Sequence, residues 1–493
     1  MTPRKIFIFG LCVIAFIFIV SEVTPDEIRM GELTFRSPDT RKWFTPDTVV
    51  YKDISAIIAS VDTSGYQSEQ IEQIEQIEVI ENDSVANVNS EGKTENIQTT
   101  LTVSDDFYPF EYSSGHDTLL FPFFRALGQM HLRNKPLRIL HYGDSQIEGD
   151  RITSTIRNHI QTNHGGRGIG FLPVVPIHDV AITFQQNVSP EWKRFSISDR
   201  GIDTLVQSRR FGISGNFVRY LAANEDDSIA HIGLLPYYGG YRSVRTFTHV
   251  RLFYGQSETP FTAVVNRVVS QDYTAQNPVS ATWWRFETPQ NSFDLQLISS
   301  NLPDLYGIAL DGDNGVAVDN LPLRGSAGLN FSRMNSEQMR QMFYLMDVEI
   351  LILQFGANAV TALADNYDNY ARNFTQQLNF LKSLKPGIAI IVVGVNDMSQ
   401  NTPDGYKSYP NIEKMRDAQK KAAFDAGCIF WDLYEAMGGE NSMPSWALAT
   451  PPLAQKDFVH FTVGGAKIVG ELFSKAWAME YQKFLISARL AEK

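Results

Sequence analysis

The sequence predicts an α/β protein with a mostly parallel sheet, split in two by an all-β sandwich insert. Three observations carry that prediction. Apolar strand-like runs alternate with helical patterns up to about residue 175 and again from about residue 323. Between those stretches helical spacing is absent, and short alternating runs follow one another across Gly, Pro, Asn and Asp. Ahead of both lies a polar, acidic stretch without sustained periodicity. The expected divisions are a leader over residues 1–23, a linker over 24–115, a first α/β part over 116–175, the insert over 176–322 and a second α/β part over 323–493.

In the leader, Arg4 and Lys5 precede an uncharged, mostly apolar run from Ile6 to Val20. That length suits an export signal and is short for a membrane span of about 20 residues. No small-x-small cleavage site follows, so a cleaved signal and an uncleaved membrane anchor both stand. Either one leaves the rest of the chain exported. In the linker, Ile recurs every three residues from Glu69 to Glu78. A period of three drifts off one helical face, which excludes a sustained coiled coil. The linker is read as largely disordered, with room for one short acidic helix.

The first α/β part has helical spacing over Leu119–Leu132, a strand over Leu137–Tyr142 and a helix over Asp150–Thr162. The glycines of Gly165–Gly166–Arg167–Gly168 stop that helix. In the insert the runs Ser243–Val250, Arg251–Tyr254, Phe261–Val265, Thr282–Phe286, Phe293–Ile298 and Tyr306–Leu310 read as strands. In the second part, helices over Ser336–Met346, Asp368–Leu384 and Ile412–Ala426 alternate with strands over Glu349–Phe355, Ile388–Val393 and Cys428–Asp432. A long helix over Val463–Leu485 follows. Such alternation implies crossovers and a parallel sheet covered on both faces.

The chain has 493 residues, 43% of them hydrophobic and 12% aromatic, enough for a sizeable core, and its net charge of −12 argues against a nucleic-acid partner. It has two cysteines. Cys12 falls in the leader, so the exported part has no cysteine pair. Cys428, beside Ile429 and Phe430, suits a small buried hydrophobe.

Ser145 ends the strand Leu137–Tyr142 in a Gly143–Asp144–Ser145 turn, where a hydroxyl is exposed at the carboxyl edge of the sheet. His460 lies in the loop before the last helix, with Asp457 three residues upstream. This spacing lets a carboxylate orient an imidazole from within one tight turn. Ester cleavage needs such a nucleophile, base and orienting acid, plus donors for the oxyanion. The candidate donors are the Ser145 and Gly328 amides and the Asn358 side chain. Gly325 and Asn396 are the rivals of the last two. In the insert, Tyr237, Tyr238, Tyr241, Trp283 and Trp284 suit either a core or sugar stacking. No metal or cofactor is called for.

Gly143–Asp144–Ser145, Gly328, Gly356–Ala357–Asn358 and Asp457–Phe458–Val459–His460 together resemble, in order, the four blocks of the SGNH (GDSL-type) hydrolases. Within that superfamily the chain resembles bacterial peptidoglycan and polysaccharide O-acetylesterases that carry a carbohydrate-module-like β insert. The likeness rests on Ile139–Ser145, Gly165–Gly170, Phe430–Trp431–Asp432 and Ala436–Met437–Gly438–Gly439. It implies a three-layer flavodoxin-like fold, no metal and an acetylated polysaccharide substrate, and with the leader the expected location is the periplasm or a membrane anchor facing it. It also implies substrate contacts at Gln146, Trp431, Met437 and Gly438. Ala359 departs from the pattern, since many members have Asp after the block asparagine. The same triad would serve an O-acetyltransferase, and a non-catalytic glycan-binding protein is the reading from another class.

Overall fold

The computed structural model describes residues 51–61 and 108–491, apart from 178–181, 222–228, 238–239 and 362–363, with two strands at 27–36 and scattered helical positions between Lys5 and Ile19. There are two units, one of residues 1–51 with 400–407 and a main body of residues 52–399 with 408–493. In the small unit Glu27–Met30 and Leu33–Arg36 pair antiparallel. Among the described residues no helix is long and apolar enough to cross a membrane. The run Ile6 to Val20 lies mostly outside them, as does the acidic stretch 62–107 with its Ile repeat.

The main body is built on a sheet of five parallel strands: β1 (Leu137–Gly143), β2 (Val316–Pro322), β3 (Val348–Gln354), β4 (Ala389–Val393) and β5 (Ile429–Trp431). Their spatial order is β2-β1-β3-β4-β5. The order reverses at β1, so a crevice opens past the carboxyl ends of β1 and β3. All seven residues of β1 are buried, as expected of a parallel strand covered on both faces.

Six helices flank the sheet: α1 (Phe121–Leu127), α2 (Thr153–His164), α3 (Ser336–Met346), α4 (Asp368–Leu384), α5 (Ile412–Asp425) and α6 (Val463–Ala491). On one face Leu140, Leu351, Leu353 and Val392 join a core with Met342 and Phe343 of α3, Phe374 of α4 and Met415 of α5. On the other, the Trp431 ring meets Phe473 of α6 at 5.3 Å, and Phe124 of α1 meets Trp477 of α6 at 5.3 Å. Helix α2 begins at Thr153, three residues later than the sequence predicts, because Gly149 and Asp150 are both left-handed, at φ 67° and 68°.

The all-β segment is a sandwich of two antiparallel sheets. The first runs Val269–Tyr273, Phe261–Val265, Phe293–Ile298, Ile229–Pro236, Phe184–Val188 in spatial order, and the second Ser280–Gln290, Phe247–Tyr254, Leu305–Asp311, Asn216–Tyr220, Trp192–Ser196. Between the sheets pack Ile232, Leu234, Leu295 and Leu297 against Val250, Leu252 and Leu310. The other face of the second sheet is buried too: Phe217, Phe253 and Ala309 belong to the same core as α3 and α4. The insert is thus a further layer of the main body.

Its expected boundaries move at both ends. Gly170–Leu172 already pairs with Leu305–Asp311, whereas Val316–Pro322, assigned to the insert from sequence, is strand β2 of the central sheet. Asp319 and Asn320 interrupt an otherwise apolar run. The Asp319 side chain is fully buried, and Arg138 of β1 donates to it from Nη1 at 2.6 and 2.9 Å. Arg138 also donates from Nη2 to Asp311 of the insert at 2.6 Å, and Arg251 reaches the same Asp311 oxygen at 2.7 Å. Burial would push the Asp311 carboxyl up, but the two guanidiniums hold it below the usual carboxylate range. Gly170 is needed here, because at φ 81° a Cβ would run into the Asp319 carboxylate.

Parts of the expected linker are ordered on the main body. Helix Ser55–Ala59 sits in a segment whose Ile54 and Val61 are buried, with the Lys52 carbonyl accepting from Ser445 at 2.5 Å. Glu111 pairs with Phe430 at the free edge of β5, and Trp431 Nε1 donates to the Tyr108 carbonyl at 3.0 Å.

Arg138→Met would leave Asp319 buried without its cation. Removing one partner of such a pair costs about 3–5 kcal/mol. The urea midpoint is expected to fall accordingly, and an unchanged midpoint would show that the cluster does not hold insert and sheet together.

Candidate active site

Ser145 stands immediately past β1. The Asp144 side chain caps the following turn by accepting the Gln146 amide at 3.0 Å. Ser145 Oγ lies 2.8 Å from His460 Nε2, across 315 positions of sequence. His460 Nδ1 lies 2.7 Å from Asp457 Oδ2. An ionised carboxylate only accepts, so Nδ1 carries a proton; whenever the ring is neutral, Nε2 is the lone-pair nitrogen and the Ser145 hydroxyl donates to it.

The Asp-x-x-His spacing works because the aspartate builds its own turn. Asp457 Oδ1 accepts the amides of Val459 and His460, both at 3.0 Å, while Oδ2 holds the imidazole. Phe458 at the corner is left-handed, at φ 57°. It is held there by donating its amide to the Gln455 carbonyl at 3.0 Å and accepting from the Ser399 amide at 2.9 Å. Burial raises the Asp457 carboxyl, but the His460 and Val459 hydrogen bonds and the His460 charge outweigh it, leaving it below its ordinary range. It therefore stays ionised in mild acid.

Two of the three expected oxyanion groups, those of Gly328 and Asn358, gather around one residue, Ser326. The Gly328 amide donates to Ser326 Oγ at 3.1 Å. The Asn358 amide donates to the Ser326 carbonyl at 3.1 Å and to Asp144 Oδ2, beside the nucleophile, at 3.4 Å. Gly328 is left-handed at φ 78° with Phe355 and Phe374 against it, whereas its rival Gly325 has open space around it. Asn396 is placed differently from Asn358: its side chain donates to the Val459 carbonyl at 3.2 Å, on the His460 loop.

Of the expected substrate contacts at Gln146, Trp431, Met437 and Gly438, the first three do not reach an open surface and Gly438 is half-buried. Gln146, Trp431 and Met437 are 1%, 1% and 0% exposed. Trp431 packs on α6, the Met437 carbonyl accepts from Trp446 at 2.9 Å, and Gly438 lies against Lys52 and Ile57 of the N-terminal segment. Strand β5 and the loop after it end under the ordered linker, which the sequence reading left disordered. Among the insert aromatics Trp284 is in the sandwich core, Trp283 is 65% exposed and Tyr237 44% exposed, and Tyr238 lies outside the described residues. Tyr241 Oη lies 3.1 Å from the Thr155 hydroxyl of α2. Burial pushes the Cys428 thiol up to about 12, so it is no nucleophile at neutral pH. Among the described residues no group of His, Cys, Asp and Glu side chains is placed to hold a metal.

No protein-family model matches the sequence, and no curated protein does. Among solved structures, the one described as a peptidoglycan O-acetylesterase in action is 18% identical, with a TM-score of 0.60 over 76% of this chain and 99% of its own. An acetyl xylan esterase (15% identity, 33% of this chain and 81% of that one, TM-score 0.25) and a family two carbohydrate esterase from Clostridium thermocellum (9%, 50% and 90%, TM-score 0.22) overlap too little to carry an argument. The first likeness establishes the fold, a layered α/β body with a β insert, as one shared with that structure. On that fold the hydrogen-bonded Ser145, His460 and Asp457 have the geometry of a nucleophile, a base and its orienting acid.

Asp144, fully buried beside the nucleophile, has its carboxyl pushed up to about 6 by burial, against the Gln146 amide and the His460 charge. In the unfolded chain it ionises near 4. The native state therefore retains a proton that the unfolded state has lost, and this group's contribution to stability falls as pH rises from about 4 through 6. In urea unfolding at pH 4 and pH 7, the stability gap between Asp144→Asn and wild type is expected to shift by up to about 3 kcal/mol in the variant's favour at the higher pH. A gap that stays constant would contradict burial as the governing cause.

Proposed function

We propose that the protein is an exported serine esterase that removes O-acetyl groups from an envelope or extracellular polysaccharide of the peptidoglycan kind. The observation that carries this reading is the unbroken chain from Ser145 Oγ through His460 to Asp457, at 2.8 and 2.7 Å, at the carboxyl edge of a parallel sheet. The shared fold with a peptidoglycan O-acetylesterase and the apolar leader support the substrate class and the export.

In this reaction Ser145 Oγ attacks the acetyl carbonyl while His460 Nε2 takes its proton. Amides near Ser145, Gly328 and Asn358 stabilise the oxyanion; the last two would first exchange their Ser326 acceptors for it. His460 then protonates the sugar oxygen as the C–O bond breaks, leaving acetyl-Ser145. A water molecule, deprotonated by His460, attacks that ester, and acetate leaves as the serine recovers its proton. Asp457 keeps Nδ1 protonated and balances the imidazolium charge. The leader would place the enzyme in the periplasm or anchor it to the membrane facing that space.

Acetate release should be measured from O-acetylated peptidoglycan, xylan and alginate, with the free sugar hydroxyls as possible acceptors. Wild type is expected to release acetate, and Ser145→Ala to lose about 10⁴–10⁶-fold in rate. Transfer of acetyl to an added glycan would make the protein an acetyltransferase. Glycan binding without release from any of the three would make it a binding protein.

A further inference from the structure

The turn after Ser145 is fastened to the loop that carries His460. Gln146 and Arg151 lie one and six positions past the nucleophile, at the two ends of that turn. The Gln146 side chain donates to the Val459 carbonyl at 2.7 Å and to Asn396 Oδ1 at 3.2 Å, and its own oxygen accepts the Phe461 amide at 3.4 Å. Arg151 donates from Nη1 to the Phe461 carbonyl at 3.0 Å, from Nη2 to the Ser145 carbonyl at 2.6 Å and from Nε to the Glu148 carbonyl at 2.9 Å. Val459 and Phe461 are the residues on either side of His460. The nucleophile's turn therefore grips the base's loop on both flanks, and Asn396 adds a bond to Val459 at 3.2 Å.

We propose that Gln146 and Arg151 form a clamp that sets the distance between Ser145 and His460, so that both are positioning residues for proton transfer. This rests on the esterase reading and deepens it. Ser145 and His460 come from opposite ends of the chain, and the hydroxyl–imidazole bond joining them must break and re-form in each half-reaction. Something else has to hold the two loops in register meanwhile. The clamp can, because its bonds run to backbone carbonyls and amides that take no part in the chemistry. Gln146 is 1% exposed, with both ends of its amide engaged, and the half-buried Arg151 has each of its three nitrogens on a carbonyl. The fork of Arg151 matters as well as its charge, since it spans the Ser145 and Phe461 carbonyls at once, which an ammonium on a flexible stem does poorly. A displacement of about 1 Å between reacting groups costs roughly 10²-fold in rate.

The test uses the full chain and the variants Gln146→Met, Arg151→Met and Arg151→Lys, with their thermal midpoints. For each, kcat and KM on an acetyl ester are measured beside the rate at which an organophosphonate labels Ser145. The labelling needs the Ser145–His460 pair but no glycan site. The expected result is that kcat and the labelling rate fall together, about 10- to 100-fold, with KM within about twofold. Arg151→Lys, which keeps the charge and the fold, is expected to recover only part of the loss. The Gln146→Met/Arg151→Met double variant should lose less than the product of the singles, because both act on one loop.

Folded variants that keep wild-type kcat and labelling overturn the clamp while leaving the esterase reading intact. So does a change confined to KM, which would make these residues substrate contacts. Full rescue by Arg151→Lys would make charge alone the cause and overturn the clamp too. A wild type inert towards both ester and phosphonate overturns the esterase reading, and the clamp with it.

Discussion

One buried arginine organises the molecule. Arg138 near the start of β1 sits between Asp319 of the neighbouring strand and Asp311 of the insert, at 2.6 Å from each. Seven positions along, the same strand has run into the turn that carries Ser145. A fully buried guanidinium needs its counter-charges in place, so the sheet and the insert have to assemble around β1. The strand is thereby tied to the sandwich through Arg138 and presents the nucleophile past its other end. The ties continue beyond the serine: Asp150 accepts from Arg157 at 2.6 and 2.9 Å and from Thr183 of the insert at 2.8 Å. This makes the β module a structural support of the nucleophile's strand and turn as well as a flanking surface.

The site depends on two loops that make their own geometry. A parallel sheet with a reversal at β1 leaves an open edge, and that edge alone would only bring Ser145 near the last loop. The angle and distance come from local bonding. Asp144 caps the serine turn, Asp457 ties up two amides of its own turn, and a left-handed Phe458 bends that turn back. The acids that shape the site also differ in charge behaviour. Burial raises the Asp144 carboxyl, whereas hydrogen bonding keeps Asp457 ionised. Of the two carboxylates near the serine, the one that orients the base is therefore the one that keeps its charge further into acid.

Much of this was legible in the sequence. Helices α3 and α4 are where the amphipathic spacing puts them, because their apolar faces repeat cleanly and Asn335 caps α3 by accepting the Gln338 amide at 2.9 Å. The serine, histidine and aspartate were legible because their chemistry needs those residue types at strand and helix ends. What was missed shares one physical cause, groups whose partners lie far along the chain. Strand β2 was counted with the insert, since Asp319 breaks its apolar run and finds its cation 181 positions away. Gln146 looked like a substrate contact because its partners Asn396, Val459 and Phe461 lie 250 or more positions downstream. The ordered linker segments were hidden because the apolar runs around Ile54 to Val61 and Phe110 are short, and only the completed body offers them a surface. Trp431 and Met437 were drawn into the substrate list by position, and their burial follows from that covering.

The account turns on Ser145 becoming covalently acetylated, with His460 and Asp457 driving the step. The most direct measurement is intact-protein and peptide mass spectrometry after rapid acid quench of the protein with an activated acetyl ester. The account requires the mass of one acetyl group on the peptide carrying Ser145, building up faster than it decays, and absent from Ser145→Ala. Acetate release at an undiminished rate by Ser145→Ala, with no adduct on the wild-type peptide, would contradict it.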